Sequence, residues 1–258
     1  MADHGPDAEF KAVEVVNPGG AGGVVILCEH ASREIPAEYD GLGLADADRT
    51  SHAAWDPGAR GVAVALSEAL DAPLVASAVS RLVYDCNRPP EAASAMPEQS
   101  ELIDVPGNRS LMQAEREARA RDVYHPFCQA VAQVIASQHA PPVLLTIHTF
   151  TPVYHGVHRA VEIGILHDDD ARLADAMLAE THRLPHRLVR RNEPYGPGDG
   201  VTHSLRLHGM RNRLANVMIE IRNDLVPDAQ SQSTMADEIL TLLRPALARL
   251  GNEGAQDA

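Results

Sequence analysis

Two histidines and a glutamate stand where buried strands would deliver them to a reaction site. The aliphatic run Val24–Leu27 leads through Cys28 and Glu29 to His30, and the run Val143–Ile147 leads directly to His148. Glu220 lies inside a third apolar run, Asn216–Arg222, with Arg222 two residues on and therefore on the same strand face. An imidazole at a strand end is either hydrogen-bonded at the rim of the sheet or a metal ligand, and position alone leaves both open. A carboxylate inside an apolar strand is expensive unless it has a partner or a task, which makes Glu220 a candidate general base. Arg222, on the same face, is a candidate to hold an anionic substrate.

Apolar runs without alternation are the pattern of strands covered on both sides. Between them come helical periods, such as Val62, Leu66 and Leu70 after an Asp56-Pro57 pair that reads as N-cap and first-turn proline. Met235, Ile239, Leu242, Leu243, Ala246 and Leu250 give a last helix one apolar face. Further strands are expected at Pro73–Ser77, Arg81–Asp85 and Val161–Leu166, and a long helix from Leu111 to about Gln138, broken near Pro126. Residues 87–109 show no period and read as a lid or a disordered loop. Strands alternating with helices predict an α/β fold, a mostly parallel or mixed central sheet with helices on both faces. Ligands bind such sheets at the carboxyl ends of the strands, where His30 and His148 lie. One domain spanning residues 1–258 is expected, with 1–22 and 252–258 poorly ordered.

The formal net charge of -14 and the lack of any Lys/Arg run exclude a phosphate-tracking nucleic-acid binder. An anionic small substrate would need a locally basic pocket, which a few arginines can supply. Three cysteines without CxxC spacing point to a reducing, cytoplasmic setting and away from a Cys-ligated structural zinc. The polar N-terminus has no apolar signal core, and no stretch predicts a membrane span. Nothing in the sequence separates a monomer from a homodimer.

Five segments taken together, Cys28-Glu-His-Ala-Ser-Arg-Glu-Ile-Pro36, His52-Ala-Ala-Trp-Asp-Pro-Gly-Ala59, Ser80-Arg-Leu-Val-Tyr-Asp-Cys-Asn-Arg-Pro89, Ile147-His-Thr-Phe-Thr-Pro152 and Glu220-Ile-Arg-Asn-Asp224, resemble the N-formylglutamate amidohydrolase family. They occur in the family's order and span about residues 24 to 226. Asp85-Cys-Asn-Arg88 also resembles the Asp-Leu-Asn-Arg motif of the related aspartoacylases and succinylglutamate desuccinylases. Two departures stand out. Those relatives carry His-x-x-Glu after the first strand, whereas Arg33 stands three residues after His30, and Glu29-His-Ala-Ser32 replaces a Pro-His-Ser-Gly.

The resemblance implies a zinc-exopeptidase-like fold and hydrolysis of an N-formyl or other N-acyl bond on an acidic amino acid such as N-formyl-L-glutamate. It implies Zn²⁺ held by His30, Asp56 and His148 with a water in the fourth position. Glu34 is the alternative carboxylate ligand, and His52 a supporting partner of Asp56. Glu220 would be the general base and Arg81 an oxyanion stabiliser. Asn87 and Arg88 would hold a substrate carboxylate, with Tyr195, in the Gly/Pro-rich loop Pro194–Gly200, as a further substrate contact. The competing expectation is a catalytically inactive carboxylate-binding module of the same fold, or a deacylase of a different N-acyl amino acid.

Overall fold

The computed structural model describes residues 10–256. In chain order the strands are β1 (Val13–Val16), β2 (Val24–Cys28), β3 (Leu74–Ser77), β4 (Gln99–Ser100), β5 (Ile103–Asp104), β6 (Val143–Phe150), β7 (Val153–Tyr154), β8 (Val157–His158), β9 (Ile163–Leu166), β10 (Val189–Arg191) and β11 (Asn216–Arg222). The helices are α1 (Asp46–Arg49), α2 (Ala59–Leu70), α3 (Gln113–Arg119), α4 (His125–Ser137), α5 (Arg172–Ala179) and α6 (Ala229–Gln256). Seven strands form one mixed sheet in the order β1-β3-β2-β6-β11-β9-β10. Strands β3, β2, β6 and β11 run parallel, β1 is antiparallel to β3, and β9 is antiparallel to β11. The remaining strands make two small hairpins, β4–β5 and β7–β8.

The unalternated strands are buried on both faces, as their composition requires. Val24 and Ile26 face α2 and share one core cluster with Val62 and Leu66 of α2, Leu173 and Met177 of α5, and Met235, Ile239 and Leu243 of α6. Val25 and Leu27 point the other way, onto Phe127 and Val131 of α4 and onto Leu82, Val83 and Tyr84. That second cluster corrects the expectation of a strand at Arg81–Asp85. Its apolar residues pair with no neighbour; they are buried in turns fastened by Ser80, whose Oγ donates to Ala54 O at 2.7 Å while its carbonyl accepts from Val83 N at 3.0 Å. Burial alone, without a ladder, produced the β-like pattern.

Near Pro126 the long helix does not break. It passes through a π-turn at Ala120–Tyr124 before α4, a register in which the missing proline N–H is tolerated. Residues 87–109 are folded into turns and the β4–β5 hairpin. Of the two end segments expected to be poorly ordered, 1–22 contributes β1 and 252–258 the last backbone turns of α6 to Gln256, while residues 1–9, 257 and 258 lie outside the described residues. No helix among the described residues is long and apolar enough to cross a membrane.

Candidate active site

Strand register places the first two groups. β6 and β11 pair so that His148 and Glu220 are direct neighbours, on the sheet face opposite Ile147 and Ile219. β2 lies on the other side of β6, so His30, two residues past its end, reaches the same corner. Asp56 arrives from the segment before α2. Its backbone N–H donates to His30 O at 3.0 Å and its Oδ2 accepts from Thr149 N at 3.2 Å. The N-cap position of α2 is Gly58 and carries no side-chain cap, so the Asp56 carboxylate is spent on the strand ends and not on the helix.

Two imidazole nitrogens and one carboxylate oxygen converge at that corner. His30 Nδ1 and His148 Nδ1 lie 3.2 and 3.0 Å from Asp56 Oδ2 and 3.2 Å from each other. The opposite nitrogens face carboxylates: His30 Nε2 is 2.7 Å from Asp85 Oδ1, and His148 Nε2 is 3.2 Å from Glu29 Oε2. The second pair is close enough for charge attraction but is not aligned as a hydrogen bond. A carboxylate at Nε2 favours the tautomer protonated there and leaves the Nδ1 lone pairs aimed at each other and at Asp56. Three converging lone pairs repel unless a proton or cation sits among them. Separations of 3.0–3.2 Å also match the edge of about 3.3 Å in a tetrahedron with arms of about 2.0–2.1 Å. His30, Asp56 and His148 could therefore hold a metal ion.

The charges around the site are strongly biased. Burial opposes ionisation of Asp56, but His30 and His148 outweigh it and hold the carboxyl below its usual range. Burial opposes ionisation of Asp85 as well, and there His30, Arg81 and Arg88 prevail. His148 is pushed up because Glu29 and Asp56 more than offset its burial. Glu220 moves the other way: burial dominates and lifts its carboxyl from 4.5 to about 7. Its Oε2 is buried without a hydrogen-bond partner.

These groups form the floor of a cavity of about 770 Å³. Arg81, Asn87, Arg88 and Tyr195 line its wall. Arg81 bridges Asp56 Oδ1 at 3.4 Å and Asp85 Oδ2 at 2.8 Å. The Asn87 amide is engaged across the cavity wall, donating to Val201 O at 2.6 Å and accepting from Ser204 N at 2.9 Å, so it fastens that segment. Arg88 donates to Asn87 O at 2.9 Å. Tyr195 is carried over β9 where Gly164 pairs with Glu220; a Cβ at Gly164 would sit 2.0 Å from Glu193 O, so only glycine admits the crossing.

Three expected placements differ. Arg222 does not line the cavity, because β11 ends at this residue and its side chain turns over the rim to Asp224 at 2.8 Å and to Arg159 O at 3.2 Å. Glu34 is exposed and away from the histidines, with its carbonyl accepting from Ser80 N. His52 pairs with Glu101 at 2.8 Å instead of supporting Asp56. Sequence reasoning missed the placement of Asp85 and Glu29 behind the two imidazoles, although Glu29 directly precedes His30 and Asp85 lies in the Asp-Cys-Asn-Arg stretch. It also missed Arg159, which lines the cavity and carries no pattern around it.

Comparison with known proteins bears on the fold and the family. A solved gene product of Agrobacterium tumefaciens is 54% identical, with a TM-score of 0.92, and the match covers 95% of this chain and 98% of that one. The crystal structure of N-formylglutamate amidohydrolase from Ralstonia eutropha shares the fold at 18% identity and a TM-score of 0.69, covering 95% of this chain and 100% of that one. A search of curated proteins finds no match. Residues 22–226, which carry both histidines, Asp56, Asp85 and Glu220, match the N-formylglutamate amidohydrolase family, and the chain belongs to that family.

Proposed function

We propose that this protein is a zinc-dependent amidohydrolase that removes the N-formyl group from an acidic amino acid such as N-formyl-L-glutamate. The observation that carries the reading is the convergence of His30, Asp56 and His148 beside Glu220, a buried carboxylate whose Oε2 has no partner. Two imidazoles and a carboxylate suit zinc and leave a coordination position for water, as catalytic sites do. Bound there, zinc would acidify a water and polarise the formyl carbonyl.

The remaining work falls to the chain's own groups. Glu220 accepts the proton of the attacking water and passes it to the nitrogen as the carbon–nitrogen bond breaks, giving formate and the free amino acid. A carboxyl lifted to about 7 suits both transfers, since it holds the proton loosely near neutral pH. Arg81 keeps N–H donors beyond those given to Asp56 and Asp85 and steadies the oxygen as it gains charge. Arg88, which lines the cavity, meets a substrate carboxylate in this reading. Three free thiols, Cys28, Cys86 and Cys128, suit a reducing cytoplasm.

The test is amine release from N-formyl-L-glutamate and a panel of other N-acyl amino acids, using protein stripped of metal and protein with zinc restored. Zinc-dependent cleavage of the formyl compound is the expected result. Full activity after rigorous chelation, or no cleavage of any member of the panel, would overturn the reading.

A further inference from the structure

Three arginines line the cavity, and their commitments differ. Arg81 is ion-paired with Asp56 and Asp85. Arg88 donates to the backbone of Asn87 and contributes to the charge that holds Asp85 ionised. Arg159 has no carboxylate partner in an ion pair among the described residues; its side chain donates one hydrogen bond, from Nη1 to Tyr195 Oη at 2.8 Å.

The setting of Arg159 is that of a built group. Its guanidinium carbon lies 4.2 Å from the ring centre of Tyr154, 4.9 Å from Tyr195 and 5.6 Å from Phe150. Its backbone is tied at both ends, N–H to Pro152 O at 2.8 Å and carbonyl from Arg222 Nη1 at 3.2 Å, and Arg222 is itself fixed by Asp224 at 2.8 Å. Arg222, the residue expected in the clamp, thus acts one step back, on the segment that carries Arg159. Contacts with ring faces use none of a guanidinium's N–H donors, so those of Arg159 beyond the one given to Tyr195 remain to meet a carboxylate, which an arginine can do in bidentate fashion. The rings also thin its hydration, so the remaining donors gain more from an anion than those of a solvated arginine. Arg159, Tyr195 and Glu220 line the same cavity, and Tyr195, hydrogen-bonded to Arg159, also feels the charge of Glu220.

We infer that Arg159, cradled by Phe150, Tyr154 and Tyr195, is a specificity-determining residue that binds a carboxylate of the amino-acid portion of the substrate. The inference rests on the amidohydrolase reading for its substrate class. Binding of a dicarboxylate tests it separately from turnover.

The experiment compares wild-type protein with Arg159→Met and Arg159→Lys, all full length, zinc-loaded and checked for fold by circular dichroism. Kinetics are measured on N-formyl-L-glutamate and on its two mono-amides, at the side-chain and at the α-carboxyl. Arg159→Met should raise KM for the diacid about 10–100-fold, the range for a lost hydrogen bond to a charged group, with kcat within about threefold. Arg159→Lys should recover only part, because an ammonium lacks the planar fork. One mono-amide should be handled equally by wild type and Arg159→Met, and that amide identifies the bound carboxylate. Unchanged discrimination between diacid and both amides in Arg159→Met overturns the inference even if hydrolysis is confirmed. Should no N-acyl amino acid be cleaved, calorimetric titration with glutarate decides: weaker binding to Arg159→Met supports the inference, and equal or absent binding to wild type and variant overturns it.

Discussion

At the floor of the cavity His30, Asp56, His148 and Glu220 are each 5% exposed or less, whereas on the hairpins that contribute Glu101 and Tyr154 to its lining Leu102 is 81% and Val157 68% exposed. The floor stands on or against β2, β6 and β11, which are paired on both edges in the seven-stranded sheet. The mouth is carried by the β4–β5 and β7–β8 hairpins, paired only within themselves. Proton transfer and metal ligation need donors fixed to a fraction of an ångström, which shared ladders and buried partners supply. Substrate entry needs elements that move at low cost, and short hairpins with exposed apolar tips are drawn from that low-stability end. Arg159 lies at the junction, following β8 but tied to the rim of β11 through Arg222.

The comparison predicts a steep fall in mutational effect from floor to mouth. Asp56→Asn or His148→Ala should remove the bound metal and lower kcat/KM by about 10³-fold or more, since metal electrostatics are worth several kcal/mol; metal analysis after dialysis beside kinetics checks both. Retained metal and activity in either variant would break the contrast. Next comes Glu220→Gln, expected to lower kcat about 10²–10⁴-fold while metal content is unchanged. The proposed base role of Glu220 also predicts a pH limb. The carboxylate must be ionised to act and burial raises its pKa, so kcat/KM of the wild type should still be rising with pH above the ordinary carboxylate range of about 4–5. Asp85→Asn removes the partner of His30 Nε2 and should weaken metal affinity about 10–100-fold, measured by competition with a chelator. Smallest of all, Leu102→Ser should change stability by no more than about 0.5 kcal/mol in denaturant unfolding.

The floor was legible in the sequence because its histidines and glutamate interrupt or end runs whose composition only a doubly covered strand tolerates. Asp56 needed the resemblance as well, since Asp before Pro is equally an N-cap. What the sequence did not disclose depends on distant contacts. Asp85 meets His30 across 55 positions, and nothing local marks that pairing. Arg222 obeyed the two-residue strand period but lay at the last residue of β11, where the period no longer fixes direction. Arg159 sits in a short connection soon after Phe150 and Tyr154, but Tyr195 joins them from 36 positions away, so no single window of sequence shows the whole cradle. The false strand at Arg81–Asp85 teaches the converse, that burial without a ladder writes the same apolar run.

The backbone stitches between the three converging donors have a further consequence. Asp56 N–H holds His30 O, Thr149 N–H holds Asp56 Oδ2, and Thr149 Oγ1 holds Pro57 O, so the segments bearing the two imidazoles and the carboxylate are fastened to one another by bonds that involve no ion. In zinc fingers metal uptake is folding, and chelation unravels the chain. An ion taken up by His30, Asp56 and His148 would be a replaceable part in a finished socket. Its removal should leave the amides of Asp56 and Thr149 slow to exchange with deuterium, and its return should be limited by encounter and desolvation, with no refolding phase.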